Sequence, residues 1–260
     1  MWKMIGRPQP LPPLQRRGEA MCKKIFLILF LFSFIYNNSG AQIVAGKIVY
    51  ERKTNLYKKY KDDNVKEWIR EEDKNKTDIF ELYFTDTNSV FMPQESDLKE
   101  KMSWATSKNI VYQTYKENKR LTIKSIWGEK VFVEDSLHKR EWKITDSKRV
   151  INGYTCRKAI WQANDSTRIY AWYCDEVIAS VGPESFYGLP GAILGLASED
   201  GGVIYFAKSI EVTKPKMENV IPKKGKNKIY TSAELKTKLE KDFGKNPWGK
   251  AMIKDNFGIW

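Results

Sequence analysis

Histidine is nearly absent from this chain: His138 is the single one in 260 residues. A protein-only zinc centre and a serine–histidine relay both draw on imidazole, so no metal site, cofactor or relay of that kind is expected, while carboxylate chemistry stays open. Cysteine is scarce too, with three in all. Cys22 stands ahead of an apolar run, where it cannot be the lipidation cysteine that would follow one. Strand–helix–strand alternation is missing, which argues against a doubly wound parallel sheet. The apolar run itself, Ile25–Ile35, has eleven residues, short of the roughly 20 that a spanning helix needs.

That short run has a purpose of its own. It follows Met21, Lys23 and Lys24 and ends in the small residues Ser39, Gly40 and Ala41, which together describe a secretory signal peptide. Residues 1–20 are Pro-rich and aperiodic and read as a non-native upstream extension, with Met21 as the natural start. Residues 21–41 are then the signal, and the exported chain begins at about Gln42. Without residues 1–41 the net charge of +13 falls to +8, of which residues 214–260, with twelve lysines and five acids, carry +7. The basic character therefore belongs to one end. In an exported protein such an end meets an anionic surface or an acidic partner before it meets nucleic acid, or it simply stays solvated.

Between these ends, residues 42–213 alternate apolar and polar residues in short runs broken by polar turns. IFELYFTDTNSVFMP (79–93) reads as a hairpin about its DTNS turn, and NIVYQTY, LTIKSIWGEKVFVED, KREWKITDSKRV, GYTCRKAIWQAN and RIYAWYCDEV follow the same rule. Roughly nine strands are expected, in an antiparallel curved sheet or an open barrel. Trp127, Trp142, Trp161 and Trp172 are expected to fill its core. Asp62–Asp78 reads as a charged excursion. Cys156 and Cys174 lie on two consecutive strands and are either bridged across them or buried as separate thiols. Thr231 and Glu234 are spaced as a capping box for a short amphipathic helix carrying Leu235, Leu239 and Phe243. The later Trp248, Met252 and Phe257 suggest that the extension 214–260 packs on the body.

The stretch GPESFYGLPGAILGLASEDGG (182–202) is almost free of charge through Ala197. It has neither GxGxxG spacing nor a GK[ST] ending for phosphate. It also lacks the GxSxG elbow that would present Ser185 or Ser198 as a nucleophile to His138. Asp175, Glu176 and Glu184 leave a carboxylate pair arithmetically open. Acids beside turns are commonly exposed, however, so no catalytic residue is assigned and the sequence favours no enzyme. Pro190-Gly191 fits the centre of a type II turn. Gly182, Pro183, Phe186, Gly188, Leu189, Pro190, Gly191, Ala192 and Ile193 therefore read as a structural corner. It leads into a buried strand that reverses at Glu199–Gly202.

GLPGAI (188–193) resembles the motif of the GLPGLI family, with Ala192 in place of the second Leu. The surrounding pieces Trp142-Lys143-Ile144, GYTCRKA (153–159), Ala171-Trp172-Tyr173, and Gly182-Pro183 before Phe186 are similar as well. The resemblance implies an exported Bacteroidetes envelope protein of unassigned function, periplasmic or secreted, and transfers no catalytic residue. The leading expectation is a noncatalytic envelope binding or accessory protein, whose partner is an envelope protein or an apolar ligand. The alternatives are a periplasmic carrier of an apolar ligand, which needs a continuous apolar cavity, and an envelope hydrolase using acids such as Asp175 and Glu184.

Overall fold

A computed structural model describes residues 6, 43–95, 101–216, 218, 221, 222, 225 and 227–259. The expected export signal and most of the expected upstream extension lie outside these residues. Twelve strands form one sheet: β1 (Gly46–Asn55), β2 (Asn75–Phe84), β3 (Asn88–Pro93), β4 (Ile110–Thr114), β5 (Lys119–Ile126), β6 (Glu129–Ser136), β7 (Lys143–Ile151), β8 (Tyr154–Asn164), β9 (Thr167–Cys174), β10 (Ala192–Ser198), β11 (Val203–Glu211) and β12 (Ile229–Tyr230). Their order is β12-β6-β5-β4-β3-β2-β1-β11-β10-β9-β8-β7. Every pairing is antiparallel except the two-residue β12 beside β6. The two ends of the sheet, β12 and β7, do not meet. It is an open antiparallel sheet, not a closed barrel.

Period-two patterning decides which face is covered. On β1, Ile48, Tyr50, Arg52 and Thr54 are buried, and on β2 Lys76, Asp78, Phe80, Leu82 and Phe84. β10 is buried along its whole length, as a central strand covered on both faces should be. The main core joins Ile48, Tyr50, Phe80, Leu82 and Phe84 to Tyr173, Phe186, Leu189, Ile193 and Tyr205. Phe80 stacks on Phe91 at 4.8 Å, and Tyr205 meets both rings near 6 Å. The covered face is thus filled with aromatic rings at the place where a carrier would need a continuous apolar cavity.

LTIKSIWGEKVFVED is two strands, and this split and the short β12 are among the additions that raise the count above the expected nine. Trp127 (φ 51°) and Gly128 (φ 82°) both have positive φ, as a two-residue hairpin turn of the I′ kind requires. Trp127 accordingly does not enter the core. It is 58 % exposed and packs edge-on against Phe243 at 4.5 Å. Trp142, Trp161 and Trp172 are partly buried against the main core. A short helix, α1 (Leu56–Lys59), precedes the charged excursion, which holds a second, α2 (Asp63–Glu67), and β2 begins within it, at Asn75.

Cys156 and Cys174 are buried free thiols. The register pairs Arg157 with Tyr173, so the two cysteines are neighbours across β8 and β9. Directly opposed strand residues hold their Cβ atoms about 4.5–5.5 Å apart, wider than the ~3.8 Å a disulfide favours. The bridging alternative is therefore not adopted. Burial first, and then Cys174, push the Cys156 thiol up to about 12, which suppresses the reactive thiolate.

Two helices follow β12: α3 (Ser232–Phe243) and α4 (Pro247–Phe257). Thr231 caps α3 by accepting from Glu234 N–H, while the Glu234 carboxylate accepts from Thr231 N–H. Leu235 and Leu239 on α3 and Ile253 on α4 bury themselves against Ile126 and Val133. The apolar residues after Phe243 do not by themselves announce α4, which starts with Pro247 in its first turn, where the missing N–H costs nothing. No helix among the described residues is long and apolar enough to cross a membrane.

Candidate functional site

The Gly182–Ile193 segment covers the filled face of the sheet. Gly182, Pro183, Phe186, Leu189, Gly191, Ala192 and Ile193 are buried, and Gly188 and Pro190 are exposed. The corner at Pro190 is tighter than the expected type II turn. Gly191 N–H bonds to Leu189 C=O at 2.8 Å, while Ala192 N–H, which would have closed a type II turn, goes to Val177 C=O at 2.8 Å. That is a γ-turn centred on Pro190. A neighbouring strand-like segment has taken the amide the larger turn needed.

Upstream, Phe186 N–H bonds to Pro183 C=O at 3.0 Å. This turn holds Glu184 at φ 55°, a strained conformation for a residue with a side chain. It aims two adjacent side chains at two polar rows that cross the sheet.

The first row is set by register: Tyr205 on β11 lies opposite Arg52 on β1, which lies opposite Asp78 on β2. Tyr205 Oη donates to Glu184 Oε1 at 2.7 Å, and Arg52 Nη1 lies 3.8 Å from the same oxygen. Arg52 also donates from Nε (3.2 Å) and Nη2 (2.6 Å) to Asp78 Oδ2, and from Nη1 to Ser107 C=O at 2.9 Å. Its guanidinium covers the Phe80 ring at 4.6 Å. Asp78 accepts further from Lys76 Nζ (2.5 Å) and Thr106 Oγ1 (2.9 Å), with Lys108 Nζ 3.6 Å away. One guanidinium thus contacts both acids, and only one of them is saturated with donors.

That difference separates their chemistry. Burial pushes the Glu184 carboxyl above the usual glutamate value, against the opposing pull of Arg52, Tyr205 and Lys124. Its side chain is still 16 % exposed. A carboxyl whose pKa is raised and which keeps a path to solvent is suited to general-acid work.

The second row is Ser89 on β3, Gln113 on β4, Arg120 on β5 and Asp135 on β6, each opposite the next. Ser185 stands over it. Its Oγ accepts from Arg140 Nη2 at 3.3 Å and Arg120 Nη1 at 3.5 Å, and its C=O accepts from Arg140 Nη1 at 2.8 Å.

The candidate residues from the sequence are divided by this arrangement. Asp175 and Glu176 are exposed, so the carboxylate beside Glu184 is Asp78, reached through Arg52. Asp78 escapes a reading of the sequence that starts its strand at Ile79. The readable signal is a pair of charges, Arg52 and Asp78, in phase with the apolar faces of β1 and β2. Ser185 is held by arginines and Ser198 donates to Asp200 at 2.6 Å, so neither serine is bonded to His138. Among the described residues no group of three or more His, Cys, Asp or Glu is placed to hold a metal. A separate cleft of ≈ 350 Å³ is lined by Asn64, Val65, Trp68, Met102 and Trp104 and brings no acid–base group together.

Comparison with known proteins finds distant similarity only. A family of proteins of unknown function, Porph_ging, matches residues 161–195. No curated protein matches the chain. Two crystal forms of PNGF-II are similar at 16% identity and a TM-score of 0.48; the match covers 72% of this chain and 30% or 31% of PNGF-II. The chain therefore spans under a third of that protein's length. An uncharacterized conserved protein from Thermus thermophilus is similar at 6% identity and a TM-score of 0.39, with 75% of this chain and 93% of the other covered. The expectation that favours no enzyme is corrected on physical grounds: its premise, that acids beside these turns are exposed, fails at Glu184, whose side chain is 16 % exposed and bonded to Tyr205.

Proposed function

We propose that the chain is an exported hydrolase of the cell envelope, of the GLPGLI kind, with Glu184 as its general acid. The observation that carries this reading is the state of Glu184: half-buried, strained at φ 55°, raised in pKa, and bonded to Tyr205 beside Arg52. In the reaction, Glu184 gives its proton to the leaving group as water adds to the other side of the broken bond. The proton released by that water restores Glu184 over the cycle, so the net change is the addition of one water. Arg52 and Tyr205 stabilise the carboxylate that exists in between. Asp78 acts as a positioning residue, fixing Arg52. The Lys-rich residues 214–260 are proposed to lie towards an anionic surface of the envelope.

The test uses the full exported chain against phenyl esters and phenyl glycosides. A basic leaving group makes the rate depend on proton donation. Glu184→Gln should lower turnover by about 10²–10⁴-fold, with a smaller loss on nitrophenyl substrates, whose leaving group needs no proton. Equal turnover by the two proteins, or no turnover of any substrate by the parent, would reject the assignment.

A further inference from the structure

Among the described residues, three buried side-chain nitrogens have no hydrogen-bond partner: Gln113 Nε2, Arg120 Nε and Arg140 Nε. Buried donors are almost always paired, because an unpaired one keeps its desolvation cost and gains nothing. These three are not scattered. Gln113 lies directly opposite Arg120 on the neighbouring strand, and Arg120 and Arg140 converge on the same Ser185 Oγ. Gln113 is 1% exposed, so bulk water does not satisfy it in the ordinary way.

The charges are as unbalanced as the hydrogen bonds. Arg120 has one carboxylate, Asp135, at 3.0 Å, and that carboxylate also takes Ser232 N–H (2.9 Å) and Ser232 Oγ (2.6 Å) at the start of α3. Arg140 forms no ion pair with the described residues. Its other partners are the His138 and Ser185 carbonyls and the rings of Phe186 (4.1 Å) and Trp161 (5.0 Å). Burial and the neighbouring Arg120 pull the Arg140 guanidinium down to about 10. Burial and the same two arginines lower His138, so the imidazole does not compensate. A planar fork over aromatic rings is the usual protein device for holding an oxyanion.

We infer that Arg120 and Arg140, which meet at Ser185, together with Gln113 opposite Arg120, form a binding site for an oxyanion: a carboxylate, sulfate or phosphate group of a ligand. The site adjoins Glu184 through the chain, so a bound anion would hold its parent molecule beside the first polar row. Binding is read without turnover, and the inference stands or falls apart from the role given to Glu184.

The experiment titrates the full exported chain with acetate, sulfate and inorganic phosphate at constant ionic strength made up with chloride. The readouts are thermal stability and the side-chain amide resonance of Gln113. A saturable rise in stability is expected, with a matching shift of that resonance. Response to acetate alone identifies a carboxylate ligand; response to sulfate and phosphate identifies a tetrahedral one. Arg140→Gln should weaken binding about 10- to 100-fold. Arg140→Lys, which keeps the charge but loses the fork, should weaken it about tenfold and guards against a folding defect. Lys130→Gln, on the exposed β6 end, should leave it unchanged. No saturable response in the parent protein, as when water fills the site, or an affinity in both Arg140 variants equal to the parent's, overturns the inference.

Discussion

Replacing Asp78 with alanine should destabilise the protein by about 3–5 kcal/mol. This carboxylate accepts from Arg52, Lys76 and Thr106, all 7% exposed or less. Its loss leaves two buried cations without their central acceptor, and an uncompensated buried charge costs more than an intact pair contributes. Since single domains are stable by only about 5–15 kcal/mol, a change of this size moves the denaturant midpoint strongly. The double variant Arg52→Met, Asp78→Leu should recover part of the loss, because it removes the main cation with its partner. Urea unfolding of the three proteins checks this. A shift below about 1 kcal/mol for Asp78→Ala would mean that the row is solvated and that its register does not bury the charges.

Gly191→Ala should be at least as damaging, at about 4 kcal/mol or more, or should prevent folding. Gly191 sits at φ 152°, and a Cβ there would lie 2.0 Å from the Cys174 carbonyl oxygen and 2.7 Å from its carbon. Both obstacles are backbone atoms of β9, paired with β10 through Ala192 and Cys174, so neither can swing aside. The neighbouring Pro190→Ala change removes only the fixed φ of an exposed residue and should cost about 1 kcal/mol or less. Thermal unfolding of the two variants separates the positions. Equal and small losses would show that the corner is pliable.

These two sites show what a sequence can and cannot disclose. The glycine corner, the buried β10 and the capping box on α3 are local events, and local residue types announce them. The strands are legible for the same reason, since alternation along a segment reports its two faces. Pairing is not local. Tyr205, Arg52 and Asp78 are far apart in the chain and become one row only through the order β11-β1-β2. Pairing Glu184 with Asp175 rests on proximity in sequence alone, and the fold replaces Asp175 by an acid from β2. Glu184 itself stands out by its place in the loop, but its burial is not legible, because it comes from how the Pro183–Phe186 turn faces the sheet. The second row escapes notice for a similar reason. Gln113 and Arg120 read as ordinary polar positions of alternating strands until Ser185 and Arg140 close over them.

Titration of Glu184 decides whether this carboxyl can serve as a proton donor. A carboxyl whose pKa is raised on folding binds more protons in the native state, so its contribution to stability is full below the ordinary value of 4.5 and is lost as pH rises through the native pKa. The native carboxyl should therefore titrate above 4.5 when followed by carbon NMR, with Glu184→Gln used to assign the signal. Through the same window the parent protein should lose stability relative to Glu184→Gln. A midpoint at or below 4.5, with no relative loss as pH rises, would show an ordinary carboxylate held by Arg52 and would contradict the proton-donor reading.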